Sequence, residues 1–524
     1  MDPAASLNTK RPPLTDISSQ RAFAQIWKWI DECTENHGSQ CRKETPRHLP
    51  TRLIDVGTSN SEPSLFCPPR GQLGNYVVLS YCWGGKPQDV LTASQATSTP
   101  VVFPLSSLPT TVRDAVIICR HLEIKLLWAD ALCIIQDSPD AEDWTRESAV
   151  MDQIYGNAFI TLAAAGAPDV WEGILTTANK FSSETCSIPL RVSDQERSRS
   201  YLMPGSTATL RFYPYDIDDK QPLAQRAWAF QEYAMSNRIL SYQKEQVVWE
   251  CKTGKEYMNG PAKVQQCQTN KSWEQCIEQY TQRSLTFPND RLVAISGYVK
   301  LKHRENQLRR GTSTLNRYIA GLWEVDLVDH MLWISKIKPP PPRPTFYRAP
   351  TWSWASIDGP IEYVSNERKG DKDFTIKLVS VSLSTNPLNP FGTLLQSPPS
   401  YLHLKGFLKA APGIEIPSKD APLPLHKKFR QTLAISWWIE FDIIDVKERM
   451  TEAAIDFKEE DGPSLGQDTL YCLRVTEFTA LILLPIGGKD GAPAFERVGI
   501  VRHWHRAEWK WFDDVEDMTE FYLL

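Results

Sequence analysis

No stretch of this sequence approaches the roughly 20 consecutive apolar residues that a membrane-spanning helix needs. The opening segment, MDPAASLNTKRPPLTD, lacks the apolar core of a signal peptide. No CxxC pair occurs, and the eleven cysteines are odd in number and scattered, with Cys119, Cys133 and Cys472 inside apolar runs. That usage excludes a secreted disulfide framework and points to a reducing, cytoplasmic location. There is no excess of one charge either: 58 Lys and Arg against 63 Asp and Glu leave −5. Such a balance supplies no general attraction to nucleic acid. The basic run Lys300, Lys302, His303, Arg304 is short and reads as a solvated helix face. Gly-rich phosphate loops, a Gly-x-Ser-x-Gly elbow and a GxGxxG turn are all missing, which argues against ATP-driven and hydrolase-triad chemistry. The nine histidines are dispersed. Only His503 and His505 stand close; on a strand they would face one side, but they lack a third ligand, so no metal site is expected.

Tryptophan and proline are abundant, at 18 and 38 of 524 residues. The first implies large aromatic clusters, and the second many rigid loops. Residues 1–20 are polar and read as a disordered N-terminus. Residues 21–75 form a helix-and-strand lead-in, in which Phe23, Ile26, Trp27 and Ile30 recur at helical spacing and TRLIDVG (51–57) suggests a strand.

The next block is the most regular. YVVLSY (76–81), KLLWADALCII (125–135) and FITLAAAG (159–166) read as buried strands, with 126–135 expected at the sheet centre because its apolar run is longest. Ser107 and Pro109 signal the start of a helix carrying Val112, Ala115, Val116 and Cys119. Residues 140–158 read as one amphipathic helix presenting Trp144, Ser148, Met151 and Tyr155 on one face. Apolar strands alternating with helices predict an α/β fold with a parallel sheet covered on both faces. Residues 255–370 read as a helical and loop extension. Strand-like segments FTIKLVSVSLS, YLHLKGFLKA, TLYCLRV, ALILLPI and FERVGIVRHW then predict a β-rich, antiparallel C-terminal domain over 371–524.

Three long segments carry a family likeness: YVVLSYCWGG (76–85), LWADALCIIQDSPDAEDWTRESAVMDQIYGNAFITLAAAGA (127–167) and RAWAFQEYAMSNRILSY (226–242). In that order they resemble the fungal heterokaryon-incompatibility (HET) domain, here spanning 76–254. Ala129 and Ala227 depart from its usual pattern. PTRLIDV (50–56), LTFPNDRLVAISG (285–297) and YRAPTWSWASIDG (347–359) resemble segments that flank the domain in relatives. The likeness implies an effector in self/non-self recognition and programmed cell death, acting with an incompatibility partner protein or by self-association. A non-catalytic adaptor and an accessory protein of a biosynthetic pathway remain alternatives.

Ligands of open parallel sheets sit beyond the carboxyl ends of the strands. The first strand ends at Ser80, Tyr81, Cys82 and Trp83, followed by Gly84-Gly85. Trp83 there is either a core cap or a pocket rim. Asp130, inside an apolar run, either ties down a loop through backbone amides or lines a pocket. Glu147, beside the apolar stripe of its helix, either pairs with an arginine such as Arg113 or Arg226, or stays unpaired with a raised pKa. Arg226 and Glu232, with Gln231, read as an ion pair bracing the third segment. The order of elements is similar to the flavodoxin-like Toll/interleukin-receptor (TIR) fold, some members of which hydrolyse NAD with a glutamate in a like-placed helix. That resemblance implies Glu147 and Asp130 as catalytic acids and Ser80, Tyr81, Trp83 and Gly84 as ligand-binding residues. NAD would be a substrate, with no cofactor, no nucleic acid and no membrane span.

Overall fold

A computed structural model describes the chain except at residues 1–13, 15, 39–40, 42–45, 99, 176–184, 190–206, 212–220, 245, 259–263, 266–270, 311–315, 365–375, 412–436, 442–468, 477–478, 504–511 and 513–514. The chain divides into two compact units, Met1–Thr269 and Asn270–Leu524.

The first unit begins with helix α1 (Gln20–Asn36), which Ser19 caps by accepting the Ala22 amide hydrogen. Phe23, Ile26, Ile30 and Cys33 lie on its buried face. The main sheet is built from β1 (Leu53–Asp55), β2 (Ser64–Phe66), β3 (Val77–Ser80), β4 (Leu126–Trp128), β5 (Ile160–Ala163), β6 (Arg238–Tyr242), β7 (Val247–Cys251), β8 (Gly254–Tyr257) and β9 (Val264–Gln265). Their order across it is β9-β8-β7-β6-β5-β3-β4-β1-β2. Only β3 with β4, β3 with β5, and β5 with β6 run parallel. Antiparallel strands extend both sides, so the sheet is mixed rather than parallel throughout. The lead-in explains one side: TRLIDVG pairs antiparallel with β4 and covers what would have been an edge. Every residue of β3 and β5 is buried, as expected for strands covered on both faces.

Two expectations need correction. The run 126–135 is a strand only over Leu126–Trp128; residues Asp130–Cys133 form a short helical turn, α3, and the middle strand of the nine is β5. Ala131, Leu132 and Cys133 are apolar because the turn is buried, and burial alone does not distinguish a strand from a helical turn. The helix over 140–158 is interrupted as well. It forms α4 (Glu142–Ser148) and α5 (Met151–Asn157), separated at Val150, whose φ of −114° and ψ of 12° leave the helical region. Trp144 and Ser148 therefore share no continuous helix face with Met151 and Tyr155. Between β3 and β4 the chain passes through α2 (Thr110–His121), and between β5 and β6 through α6 (Ala229–Met235).

In the second unit, α7 (Trp273–Thr281) starts at a reciprocal cap in which Ser272 and Gln275 satisfy each other's backbone amides. Helix α8 (Val293–Arg310) follows a turn at Pro288–Arg291. Much of the tryptophan excess is found here: Trp333, Trp352 and Trp354 are fully buried. Arg497, also buried, lies 3.8 Å over the Trp333 ring and donates to the carbonyls of Met331 and Trp333. The C-terminal region is β-rich. Strands β10 (Ile376–Ser382), β11 (Tyr401–Gly406), β12 (Leu408–Ala410), β13 (Trp437–Phe441), β14 (Tyr471–Arg474), β15 (Thr479–Lys489), β16 (Ala492–His503) and β17 (Thr519–Leu523) form one sheet. Its order is β10-β11-β17-β16-β15-β14-β12, and β13 also pairs with β16. The pairing is antiparallel apart from β16 with β17. His505 and the His503 side chain lie outside the described residues. No described helix is long and apolar enough to cross a membrane.

Candidate functional site at the carboxyl ends of the parallel strands

Ser80 is the last residue of β3, and Asp130 follows β4 by two residues, so both stand where parallel strands give way to loops. Trp83 leaves β3 in the next turn and donates its indole N–H to Asp130, 3.1 Å from Oδ1 and 3.0 Å from Oδ2. The Ala131 amide also donates to Asp130, at 2.8 Å. Across the strand ends, Ser80 donates its hydroxyl to Glu232 of α6. Arg226 donates to the carbonyl oxygen of Tyr81. Tyr155 of α5 reaches in from below, its hydroxyl donating to the Leu79 carbonyl at 3.2 Å. Thus three segments distant in sequence meet: 80–83, 130, and 226–232.

The electrostatics are those of two acids sharing one base. Burial raises the pKa of Asp130, and the Arg226 guanidinium, Tyr81 and the Trp83 indole pull it back only in part. Glu232 is raised by burial too, opposed by Arg226 and by the Ser80 hydroxyl. Burial opposes the charge on Arg226, but Glu232 foremost, with Cys82 and Asp130, more than offsets it, so its pKa rises. Trp83, Asp130, Arg226 and Glu232 all keep part of their surface exposed, while Ser80 and Tyr81 are buried beneath them. Charged groups that are poorly solvated yet reachable are what a ligand site requires.

Gly84 follows Trp83 in the turn after β3. Its φ of +75° is left-handed, and a Cβ there would lie 2.3 Å from Cβ of Asp169. The missing side chain makes room for Asp169, whose carboxylate stands 3.6 Å from Lys86.

Glu147 is 1% exposed and belongs to another group. Thr51 donates its hydroxyl to Glu147 Oε1 at 2.6 Å, and Arg52 stands 3.7 Å from the same oxygen. Arg52 also pairs with Asp143 and donates to the Cys133 carbonyl at 2.7 Å. Asp143 in turn accepts the Ile135 amide hydrogen at 2.8 Å. The arginine beside Glu147 is therefore Arg52, not Arg113 or Arg226. Burial raises the Glu147 pKa, with Thr51 and Arg52 opposing. Among the described residues its bonds go to neither Ser80, Trp83 nor Asp130.

Residues 76–232, which hold every member of the strand-end group, match the model of the Heterokaryon incompatibility protein (HET) family. They form a HET domain. None of the curated proteins or solved structures compared with the chain matches it. Arg226, Gln231 and Glu232 close the matched part of the HET domain, and two of them complete its polar group. Thr51 and Arg52, which hold Glu147, precede it. Sequence reading missed both; the polar Thr-Arg pair opening an otherwise apolar strand was the available signal.

Proposed function

We propose that this chain is an effector of fungal self/non-self recognition whose HET domain binds NAD over the carboxyl ends of its parallel strands and cleaves it, leading to cell death. The observation that carries this reading is the meeting of Ser80, Trp83 and Asp130 with Arg226 and Glu232. Further support comes from strand order. The parallel strands run β4-β3-β5-β6, so the second, first, third and fourth in chain order lie side by side, as in flavodoxin-like and TIR-like sheets. In such sheets the ligand crevice lies where the order reverses, between β3 and β5.

In the proposed step the bond between the nicotinamide nitrogen and ribose C1′ breaks, and its electron pair leaves with nicotinamide. Positive charge develops on the ribose, where a poorly solvated carboxylate stabilises it. Water then adds to C1′ and gives its proton to a carboxylate. Of the two acids expected to be catalytic, Asp130 has the neighbours suited to this, with Glu232 beside it. Arg226 would hold the pyrophosphate or set the charge of the two acids. Glu147, tied to Thr51 and Arg52, is given the supporting task of bracing α4 against the lead-in.

The test is incubation of the purified full chain with NAD, following nicotinamide release by chromatography. Asp130→Asn and Glu232→Gln should each lower release at least about 100-fold while near-native thermal transitions are retained. Intact NAD after incubation with folded wild type, and no heat of NAD binding, would overturn the reading. Self-association of the same sample by light scattering would then favour the adaptor alternative.

A further inference from the structure

Four potential metal ligands gather far from the strand-end group. Cys33 lies in the last turn of α1, His37 is its C-terminal cap, Cys41 follows, and Cys251 ends β7. Their Sγ and imidazole nitrogen atoms all lie within 4.8 Å of one another. The three thiols are buried and none is in a disulfide; His37 is half-buried. The spacing Cys33-x3-His37-x3-Cys41 is local, whereas His37 and Cys251 are 214 residues apart.

We propose that Cys33, His37, Cys41 and Cys251 form a structural zinc site that fastens α1 to the β7–β8 hairpin. A tetrahedral ion with zinc–sulfur bonds of about 2.3 Å and zinc–nitrogen bonds of about 2.0 Å holds S and N ligands about 3.5 Å apart, and sulfurs about 3.8 Å apart. The Cys251 Sγ to His37 Nδ1 separation is 3.5 Å. Three sulfurs and one imidazole are a ligand set of the borderline-soft zinc ion, and four protein ligands leave no open position for substrate.

The surroundings suit bound thiolates. Arg238, itself buried, donates its Nε hydrogen to Cys33 Sγ at 3.3 Å and packs 5.1 Å from the Phe159 ring. Three thiolates with Zn2+ carry one net negative charge, which this guanidinium offsets. Thr253, in the turn after β7, has its hydroxyl 3.1 Å from Cys251 Sγ and donates to that thiolate once zinc takes His37 Nδ1, which lies 2.9 Å from the same hydroxyl. A disulfide would use two sulfurs about 2.05 Å apart and leave the third thiol and the imidazole without a common role.

Every one of these ligands lies outside residues 76–232. The ion would thus join the two flanks of the HET domain and make α1 and the β7–β8 hairpin parts of one folded unit. Metal-coupled folding of this kind makes the flanks necessary for stability.

The experiment measures metal content of the full chain purified under reducing conditions without chelator. Wild type should hold one zinc per chain, and cobalt-substituted protein should show the intense visible bands of a tetrahedral thiolate site. Cys41→Ser and Cys251→Ser should lower retained zinc at least about ten-fold, whereas Cys67→Ser, at an exposed cysteine outside the group, should retain it. Thr253→Val should weaken zinc affinity about ten-fold and leave the cobalt bands tetrahedral. Folded wild type that holds no zinc and takes up neither Zn2+ nor Co2+ would overturn the proposal, whether or not the cysteine variants fold. So would a disulfide among these cysteines found by mass spectrometry in the reduced, folded chain.

Discussion

Arg226 and Arg52 each stand beside two acids in the first unit, and the two groups are finished differently. Around Arg52 nearly every valence is used: the guanidinium takes Asp143 and the Cys133 carbonyl, Asp143 takes the Ile135 amide, and Glu147 takes Thr51. The result pins the strand β1, the loop after α3 and the helix α4 to each other. Around Arg226 the acids are bonded as well, Asp130 by Trp83, Tyr81 and the Ala131 amide and Glu232 by Ser80 and Tyr155, but both residues keep part of their surface exposed, whereas Asp143 and Glu147 are buried. Charge burial costs free energy in both places. Both groups meet that cost with hydrogen bonds, and they differ in exposure: the Arg52 group is closed off, while the Arg226 group keeps surface within reach of a ligand. The difference is why the proposed chemistry is placed at Asp130 and Glu232 and not at Glu147.

The largest test of the comparison removes each base in turn. Arg226→Ala removes the principal counter-charge of both Asp130 and Glu232, and should cost about 3 kcal/mol in urea unfolding. Arg226→Lys keeps the charge but not the planar fork, and should recover part of that loss. Arg52→Ala should cost about 2 kcal/mol, because Thr51 and the Ile135 amide still hold the two acids. NAD binding measured by calorimetry should disappear in Arg226→Ala and persist in Arg52→Ala. The reverse order of binding loss would move the ligand site to Glu147.

The second unit supplies a contrast of sign. Glu274 is pulled down to about 2, chiefly by a hydrogen bond from buried His330, whose Nε2 lies 3.4 Å from Glu274 Oε1. Nδ1 of His330 accepts the Trp323 amide hydrogen at 3.1 Å, which leaves Nε2 as the donor. A depressed carboxylate contributes stability that is present above its unfolded pKa of about 4.3 and is lost as pH falls toward the folded value. Glu274→Gln should therefore lower the thermal midpoint at neutral pH and converge with wild type near pH 2. A constant difference across that range would show that His330 acts through packing alone.

How much of this was legible in the sequence depends on how far apart the partners are. The strand ending at Ser80, the helix starting after Pro109 and the alternation in the C-terminal strands are local patterns, and the structure has elements at those places. The apolar run 126–135 misled because α3 is buried as thoroughly as a strand, and the helix break at Val150 has neither Gly nor Pro to announce it. The place of Glu147 on an apolar helix side signals its burial, which the structure shows. Its partner Thr51 is 96 residues earlier, a distance over which side-chain spacing carries no information. The pairing of Ser80 with Glu232 spans 152 residues and was equally invisible. Ser80 stands out in the sequence only as the end of a strand, where ligands of open parallel sheets sit, and Glu232 only as a polar residue in the third segment.

The smallest effect is the most discriminating for Glu147. Glu147→Gln keeps an oxygen to accept the Thr51 hydroxyl, loses the attraction of Arg52 at 3.7 Å, and removes a charge whose burial is unfavourable. These changes oppose each other, so the net effect near neutral pH should stay within about 1 kcal/mol. The sign of its pH dependence is fixed, however. Because the folded pKa is raised, the native state binds the proton more tightly than the unfolded chain does. Wild-type stability from this group is then fully present below the unfolded pKa and declines as pH rises through the folded one. The glutamine variant lacks that decline, so relative to wild type it should gain stability as pH is raised from about 4. Urea unfolding of both proteins across that range reads the difference directly, and nicotinamide release by the variant should remain near the wild-type rate. A stability difference independent of pH would remove the raised pKa from the account. Loss of NAD cleavage by a variant that folds normally would return Glu147 to the reacting site, and the contrast between the two arginine groups would fail with it.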